Sequence, residues 1–165
     1  LHSLIFGMKI LAIDPGYERV GIAILEKHRN TENLLYSDCL ITSSKDEFPN
    51  RLLVIGNEIE KVIKKYKPEA LAIETLFFNT NQKTVMRVSE ARGAIIYKAK
   101  AMDIEVYEYT PLQIKIAVVG YGRATKEQVT DMVPKLISMD TTAKRKDDEF
   151  DAIAIGLTHC AHKKL

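Results

Sequence analysis

The stretch Ile10-Leu11-Ala12-Ile13-Asp14-Pro15-Gly16 constrains the fold more than any other part of the chain. Four consecutive apolar residues read as a buried strand, and the run stops abruptly on a carboxylate. Pro15 and Gly16 force a turn, and a second apolar run, Val20 to Leu25, brings the chain straight back. Asp14 thus stands at the end of a central strand. Desolvating a lone carboxylate is costly. Asp14 therefore either accepts N–H bonds of the turn, as Asp commonly does, or belongs to a group of residues that carries chemistry.

Leu34 to Thr42 reads as a third strand, and the three together suggest an antiparallel meander. Between Asp46 and Tyr66 the apolar residues Leu52, Ile55, Ile59, Val62 or Ile63, and Tyr66 recur at helical spacing, and Lys67-Pro68 closes that helix. Glu69 to Glu74 is a short buried strand that again ends on a carboxylate. Asn79 to Asn81 offers an N-cap for a long helix reaching about Met102. One stripe of that helix carries Val85, Val88, Ala91 or Arg92, Ile95, Ala99 and Met102. A second stripe, Met86, Ser89, Gly93 and Tyr97, marks either a helix buried on two sides or a dimer contact. Ile104 to Tyr109 reads as a fifth strand. Thr110-Pro111-Leu112-Gln113 and Thr125-Lys126-Glu127-Gln128 are capping boxes, the first with proline at the first helical position. Between them lies the break Gly120-Tyr121-Gly122. The basic loop Lys144-Arg145-Lys146 leads into a last helix, Asp147 to about His162.

This order predicts an α/β fold: a five-stranded mixed sheet flanked by helices on both faces. The 165 residues suffice for one domain with a full core. That domain is expected over 8–165, with Leu1 to Gly7 read as a vector-derived or upstream extension. No apolar run approaches the length of a membrane span, and the N-terminus lacks the pattern of a secretory signal. Cys39 and Cys160 have no zinc-site or disulfide spacing and read as small core residues in a reducing cytoplasm. The net charge of +2 hides local excesses. From Asn79 to Ala101, Lys83, Arg87, Arg92, Lys98 and Lys100 oppose only Glu90; from Thr110 to Thr130, Lys115, Arg123 and Lys126 oppose only Glu127. Such excesses suit a polyanionic partner or a solvated helix face.

Asp14 and Glu74 come to the same edge of the sheet if their strands are parallel neighbours. Asp148 and Asp151, three apart, share one face of the last helix, which Phe150, Ile153, Ala154 and Leu157 lay on the sheet. Four converging carboxylates would repel and raise one another's pKa values. Divalent metal ions remove that repulsion, and an all-oxygen site favours Mg²⁺ or Mn²⁺. Two ions can activate water on one side and stabilise the leaving oxygen on the other. Asp147 and Glu149 read as charges favoured by the helix dipole, and His159 and His162, late in that helix where a cation suits the dipole, read as structural residues.

Ile13-Asp14-Pro15-Gly16, Ala72-Ile73-Glu74, Ala91-Arg92-Gly93, Pro111-Leu112-Gln113-Ile114-Lys115, and Asp148 to Ala154 with Thr158-His159-Cys160 resemble, in order, the RuvC family of crossover-junction endodeoxyribonucleases. The resemblance implies an RNase H-like fold, a homodimer, Mg²⁺ or Mn²⁺, and paired symmetric nicks in four-way DNA junctions during recombination and repair. It also implies a RuvA–RuvB branch-migration partner. It carries the catalytic, metal-binding acids onto Asp14, Glu74, Asp148 and Asp151. It places Lys115 and Lys126 at the DNA face and Phe77 in the junction centre. Lys83, Arg87 and Arg123 join the expected DNA-binding set on charge. The rival readings are a YqgF-type RNase H-like nuclease of RNA processing, a nucleotide-binding protein of the actin and sugar-kinase fold, and a non-catalytic nucleic-acid-binding module.

Overall fold

The computed structural model describes residues 7–76 and 82–163. The strands are β1 (Met8–Asp14), β2 (Arg19–Lys27), β3 (Glu32–Ile41), β4 (Ala70–Glu74) and β5 (Glu105–Tyr109). The helices are α1 (Phe48–Tyr66), α2 (Gln82–Ala101), α3 (Pro111–Val119), α4 (Lys126–Leu136) and α5 (Asp147–His162). The sheet order is β3-β2-β1-β4-β5, with the first three strands antiparallel and β4 and β5 parallel to β1. The meander extended by helical crossovers is therefore present as expected. The expected N-cap at Asn79 to Asn81 lies outside the described residues.

The run Ile10 to Ile13 is continuously apolar because both faces of β1 are covered. Ile10 and Ala12 join the core formed with α3, α4 and α5, whereas Leu11 and Ile13 join the core formed with α1 and α2. The two layers differ in grain. Against α1 and α2 the central strands present Leu11, Ile13, Ile22, Ile24, Leu71 and Ile73. Against α5 they present Ile10 and Leu25 together with the small residues Ala12, Ala23 and Ala72. A Cβ added at Gly156 would stand 2.5 Å from Leu25 Cδ1 and 3.1 Å from Ala12 Cβ. Glycine is needed there for close approach.

The strand alternation of side chains also sets where chemistry can occur. Asp14 continues the face of Ile10 and Ala12, and Glu74 continues the face of Ala72. Both acids are thus directed to the α5 layer.

One expectation at the start of α5 is corrected. Glu149 is more than a dipole charge: it is buried, its Oε2 accepts the Lys146 N–H at 2.8 Å, and its Oε1 accepts the Ser37 hydroxyl at 2.7 Å. It closes the first turn and ties it to β3. His159 is the structural residue expected, and not a cation at the C-terminus. It is fully buried with Nδ1 2.8 Å from the Tyr109 hydroxyl, and its pKa is pushed down to about 4 by burial first, then by Lys163, His162 and Lys27. His162 keeps a C-terminal place on the surface, its ring nitrogen 2.8 Å from the Thr158 carbonyl.

Gly156→Ala is expected to lower stability by about 1–3 kcal/mol through overpacking, read as a shifted urea midpoint with an unchanged slope. A second change, Leu25→Val, should recover part of the loss by clearing the space the new methyl enters.

Candidate active site

Asp14 and Glu74 project from adjacent parallel strands, one step beyond the pairs Ala12–Ala72 and Ile13–Ile73. The turn after Asp14 is fixed from below. The buried Arg51 donates to Thr42 Oγ1 at 2.9 Å and to the Tyr17 carbonyl at 3.2 Å, and the Thr42 hydroxyl donates to that same carbonyl at 2.5 Å. Gly16 is required inside the turn, since a Cβ there would lie 2.1 Å from the Arg19 carbonyl. Glu74 is fixed by its neighbours: Arg92 Nε donates to its carbonyl at 3.0 Å, and the next residue, Thr75, donates its N–H to Tyr109 at 2.9 Å.

The helix carrying the other two acids is seated by an absence. Gly21 is the β2 partner of Asp14, and a Cβ on it would lie 2.0 Å from the Asp148 carbonyl and 3.1 Å from Asp14 Cβ. Only glycine lets the first turn of α5 lie against the strand end. Asp14, Glu74 and Asp151 then line one cavity of about 180 Å³, together with Lys126, Ile114, Val129, Ala154 and Ile155.

The electrostatics follow from this crowding. Asp14 is pushed up to about 8, by burial first and then by Asp151, Glu74 and Asp148, with Lys126 opposing. Burial, helped by Asp151, also raises Glu74. Lys126, the first residue of α4, donates to Asp151 Oδ2 at 2.7 Å, and this bond holds its ammonium above the ordinary lysine range. Asp148 has a different environment. Burial is the largest single influence and pushes it up, but the hydrogen bonds of Arg19 (one of them 2.9 Å long), the helix N–H of Asp148 itself, the charge of Arg19 and the Cys39 thiol together bring it below the ordinary range.

The structure thus joins Asp14, Glu74 and Asp151 in one cavity and turns Asp148 toward Arg19. As the side chains stand, no three His, Cys, Asp or Glu among the described residues converge on a common ion position. The two basic partners account for that. Guanidinium and ammonium supply positive charge at the carboxylate oxygens a metal would use. The donor set itself fits a hard divalent cation: it is all oxygen, and it contains a carboxyl, Asp14, whose ionisation burial and its acidic neighbours oppose and added positive charge would favour.

Of the residues expected at DNA, Lys126 lines the acid cavity, Lys115 follows the cavity residue Ile114, and Arg123 lies exposed in the loop before α4. Lys83 and Arg87 belong to the first turns of α2; Arg87 lies 4.0 Å from the Phe48 ring centre and pairs with Glu90 at 3.4 Å. Phe77 lies outside the described residues. Sequence reasoning missed Arg19, the anchoring role of Arg92, and Gly21. The signal for the first and last was the hairpin itself, which must bring the start of β2 back beside the end of β1.

Comparison with known proteins identifies the class. The protein is a nuclease with the RNase H-like fold; the fold alone is shared, at a TM-score of 0.68 and 12% identity, with a yeast mitochondrial Holliday junction resolvase across 94% of this chain and 79% of that one. More particularly, it belongs to the RuvC family, crossover junction endodeoxyribonucleases that are metal-dependent: the family model matches residues 10–159. The RuvC of Finegoldia magna is 46% identical over 158 residues, covering 96% of each chain. A Thermus thermophilus RuvC, solved in complex with a Holliday junction substrate, superposes with a TM-score of 0.87 at 32% identity, covering 94% of each chain. Membership does not favour the YqgF-type, nucleotide-binding or non-catalytic readings. No helix among the described residues is long and apolar enough to cross a membrane.

Two outcomes are expected. A carboxyl whose folded pKa is raised binds protons in the native state that the unfolded state releases, so its stabilising contribution is full below 3.8 and is lost as pH rises towards about 8. Protein stripped of divalent ions should therefore lose thermal stability across that interval, and Asp14→Asn should flatten the profile. Gly21→Ala should shift α5 at its first turn and reduce junction cleavage about 100-fold, the cost of an ångström-scale misplacement, measured beside its unfolding midpoint.

Proposed function

We propose that this chain resolves four-way DNA junctions by hydrolysing phosphodiester bonds with Asp14, Glu74, Asp148 and Asp151 as its catalytic acids. The observation that carries this reading is the cavity in which Asp14, Glu74 and Asp151 meet beside Lys126. Divalent ions, Mg²⁺ or Mn²⁺ and two per site, are the cofactors these oxygens suit, and when bound they supply an activated water and neutralise the leaving oxygen. The chain's own contribution is to hold the acids. β1 and β4 carry Asp14 and Glu74 at fixed spacing, and α5, capped at its first turn, carries Asp151 to the cavity they line and Asp148 beside it, on Arg19.

Lys126 has a second task. With an ammonium beside Asp151 and more than half of its side chain exposed, it can hold a backbone phosphate at the cavity mouth. Lys115, Arg123, Lys83 and Arg87 extend the basic surface along which DNA would lie, and Phe77 is the ring we assign to the junction centre. Since one acid site can cut only one strand, paired cuts need two sites related by a two-fold axis. Met86 and Tyr97, 66% and 73% exposed on α2, with Ser89 and Gly93 between them, supply an apolar, partly flat stripe for that homodimer. A RuvA–RuvB assembly acting in the cytoplasm completes the proposal, resting on the family resemblance.

The test is cleavage of a mobile four-way junction with each strand labelled in turn. Asp14→Asn and Glu74→Gln should each abolish metal-supported cutting while leaving junction affinity equal or tighter, because less negative charge then faces the phosphates. Near-parent cutting by either variant would sink the assignment. Lys126→Glu should weaken junction binding and lower the dependence of log affinity on log salt by about one phosphate contact's worth.

A further inference from the structure

Arg19 is the first residue of β2, two positions before the glycine paired to Asp14. Its guanidinium donates from both Nε and Nη2 to a single oxygen, Oδ2 of Asp148, with the Nε bond 2.9 Å long. Carboxylates gripped by arginine for structural purposes usually share both oxygens with the fork. Here the whole positive charge is concentrated on one. The pair sits at a boundary: the Arg19 side chain is 47% exposed and that of Asp148 21%. The guanidinium can therefore leave toward solvent while the carboxylate stays in place. Asp148 itself cannot follow, because Gly21 seats its carbonyl and Glu149 ties its turn to Ser37. The second basic partner, Lys126, is bound to the other α5 acid and leaves Asp148 to Arg19.

The geometry points to Arg19 as a positioning residue that occupies Asp148 in place of a metal ion until a DNA phosphate draws it away. This inference rests on the metal-dependent reading above. The two Arg19 bonds occupy the lone pairs of Oδ2, and the guanidinium charge repels a cation from the remaining oxygen, so Arg19 lowers the affinity of Asp148 for metal in the DNA-free protein. A phosphate offers the guanidinium a matching planar, doubly hydrogen-bonded anion. Once the side chain turns to the phosphate, Asp148 is left as a partly buried carboxylate without a cation, near Asp14 and the Cys39 thiol. That arrangement strongly favours uptake of a cation. DNA thus tightens metal binding, and by linkage metal tightens DNA binding by the same factor. The device keeps the acid set from filling before substrate is present. Lysine at this position would keep the charge without the fork and would release Asp148 less completely to a phosphate.

The experiment measures free Mn²⁺ by electron paramagnetic resonance during titration of the parent protein, Arg19→Gln and Arg19→Lys. Each is titrated alone and with a fixed-sequence four-way junction checked by gel to remain uncut. Without DNA, Arg19→Gln should bind Mn²⁺ at least about fivefold more tightly than the parent, the lower end of ordinary coupling between sites. Junction DNA should tighten Mn²⁺ binding to the parent by a similar factor, to Arg19→Lys by less, and to Arg19→Gln hardly at all. Arg19→Gln should unfold within a few degrees of the parent, which separates gating from simple loss of structure. Equal Mn²⁺ affinity of parent and Arg19→Gln, each abolished by Asp14→Asn, would overturn the role of Arg19 and leave the metal-dependent reading standing. Absence of Mn²⁺ binding in every variant, with and without DNA, would overturn both.

Discussion

The structure is organised by the cost of holding like charges together away from water. Asp14 is half-buried, three other carboxylates lie around it, and desolvation with their repulsion lifts its pKa to about 8. Such a group is tolerated only because the surroundings over-determine it. Arg51 and Thr42 hold the turn after Asp14, Arg92 holds the backbone of Glu74, and Glu149 holds the turn of Asp148. Cations answer the remaining charge. Lys126 stands on Asp151 and Arg19 on Asp148. Each of these residues is explained by the acids, and few of them would be needed if the acids were absent.

Much of this was legible in the chain. The unbroken run Ile10 to Ile13 can be satisfied only by helices on both sides of the sheet, and both cores are present. The capping boxes at Thr110 and Thr125 form as written, with Gln113 and Gln128 reaching back to the cap residues. Asp14 and Glu74 were recognisable because each interrupts an apolar strand, and Asp151 because it recurs three residues after Asp148.

Other features were out of reach for physical reasons. The roles of Glu149 and His159 depend on burial against elements distant in the chain, Ser37 on β3 and Tyr109 on β5. Nothing within three or four residues of either reveals those partners. Arg19 reads as an ordinary polar residue opening a strand until the register sets it beside Asp148. Gly156 was likewise silent, because a glycine that makes room for a neighbour carries no local pattern; the neighbour appears only on folding.

The alternation that sends Asp14 and Glu74 toward α5 also makes errors in pairing self-punishing. A slip of one residue between neighbouring strands would exchange the two faces of the slipped strand. Asp14 would then be delivered into the layer of Leu11, Ile13, Ile55 and Ile59, far from Lys126 and Arg19, and the smaller face would meet the helices shaped for the larger one. A carboxylate on a central strand therefore acts as a register marker during folding. The charge that chemistry requires at one edge of the sheet also rejects, in the same stroke, the misassembled sheet that could not use it.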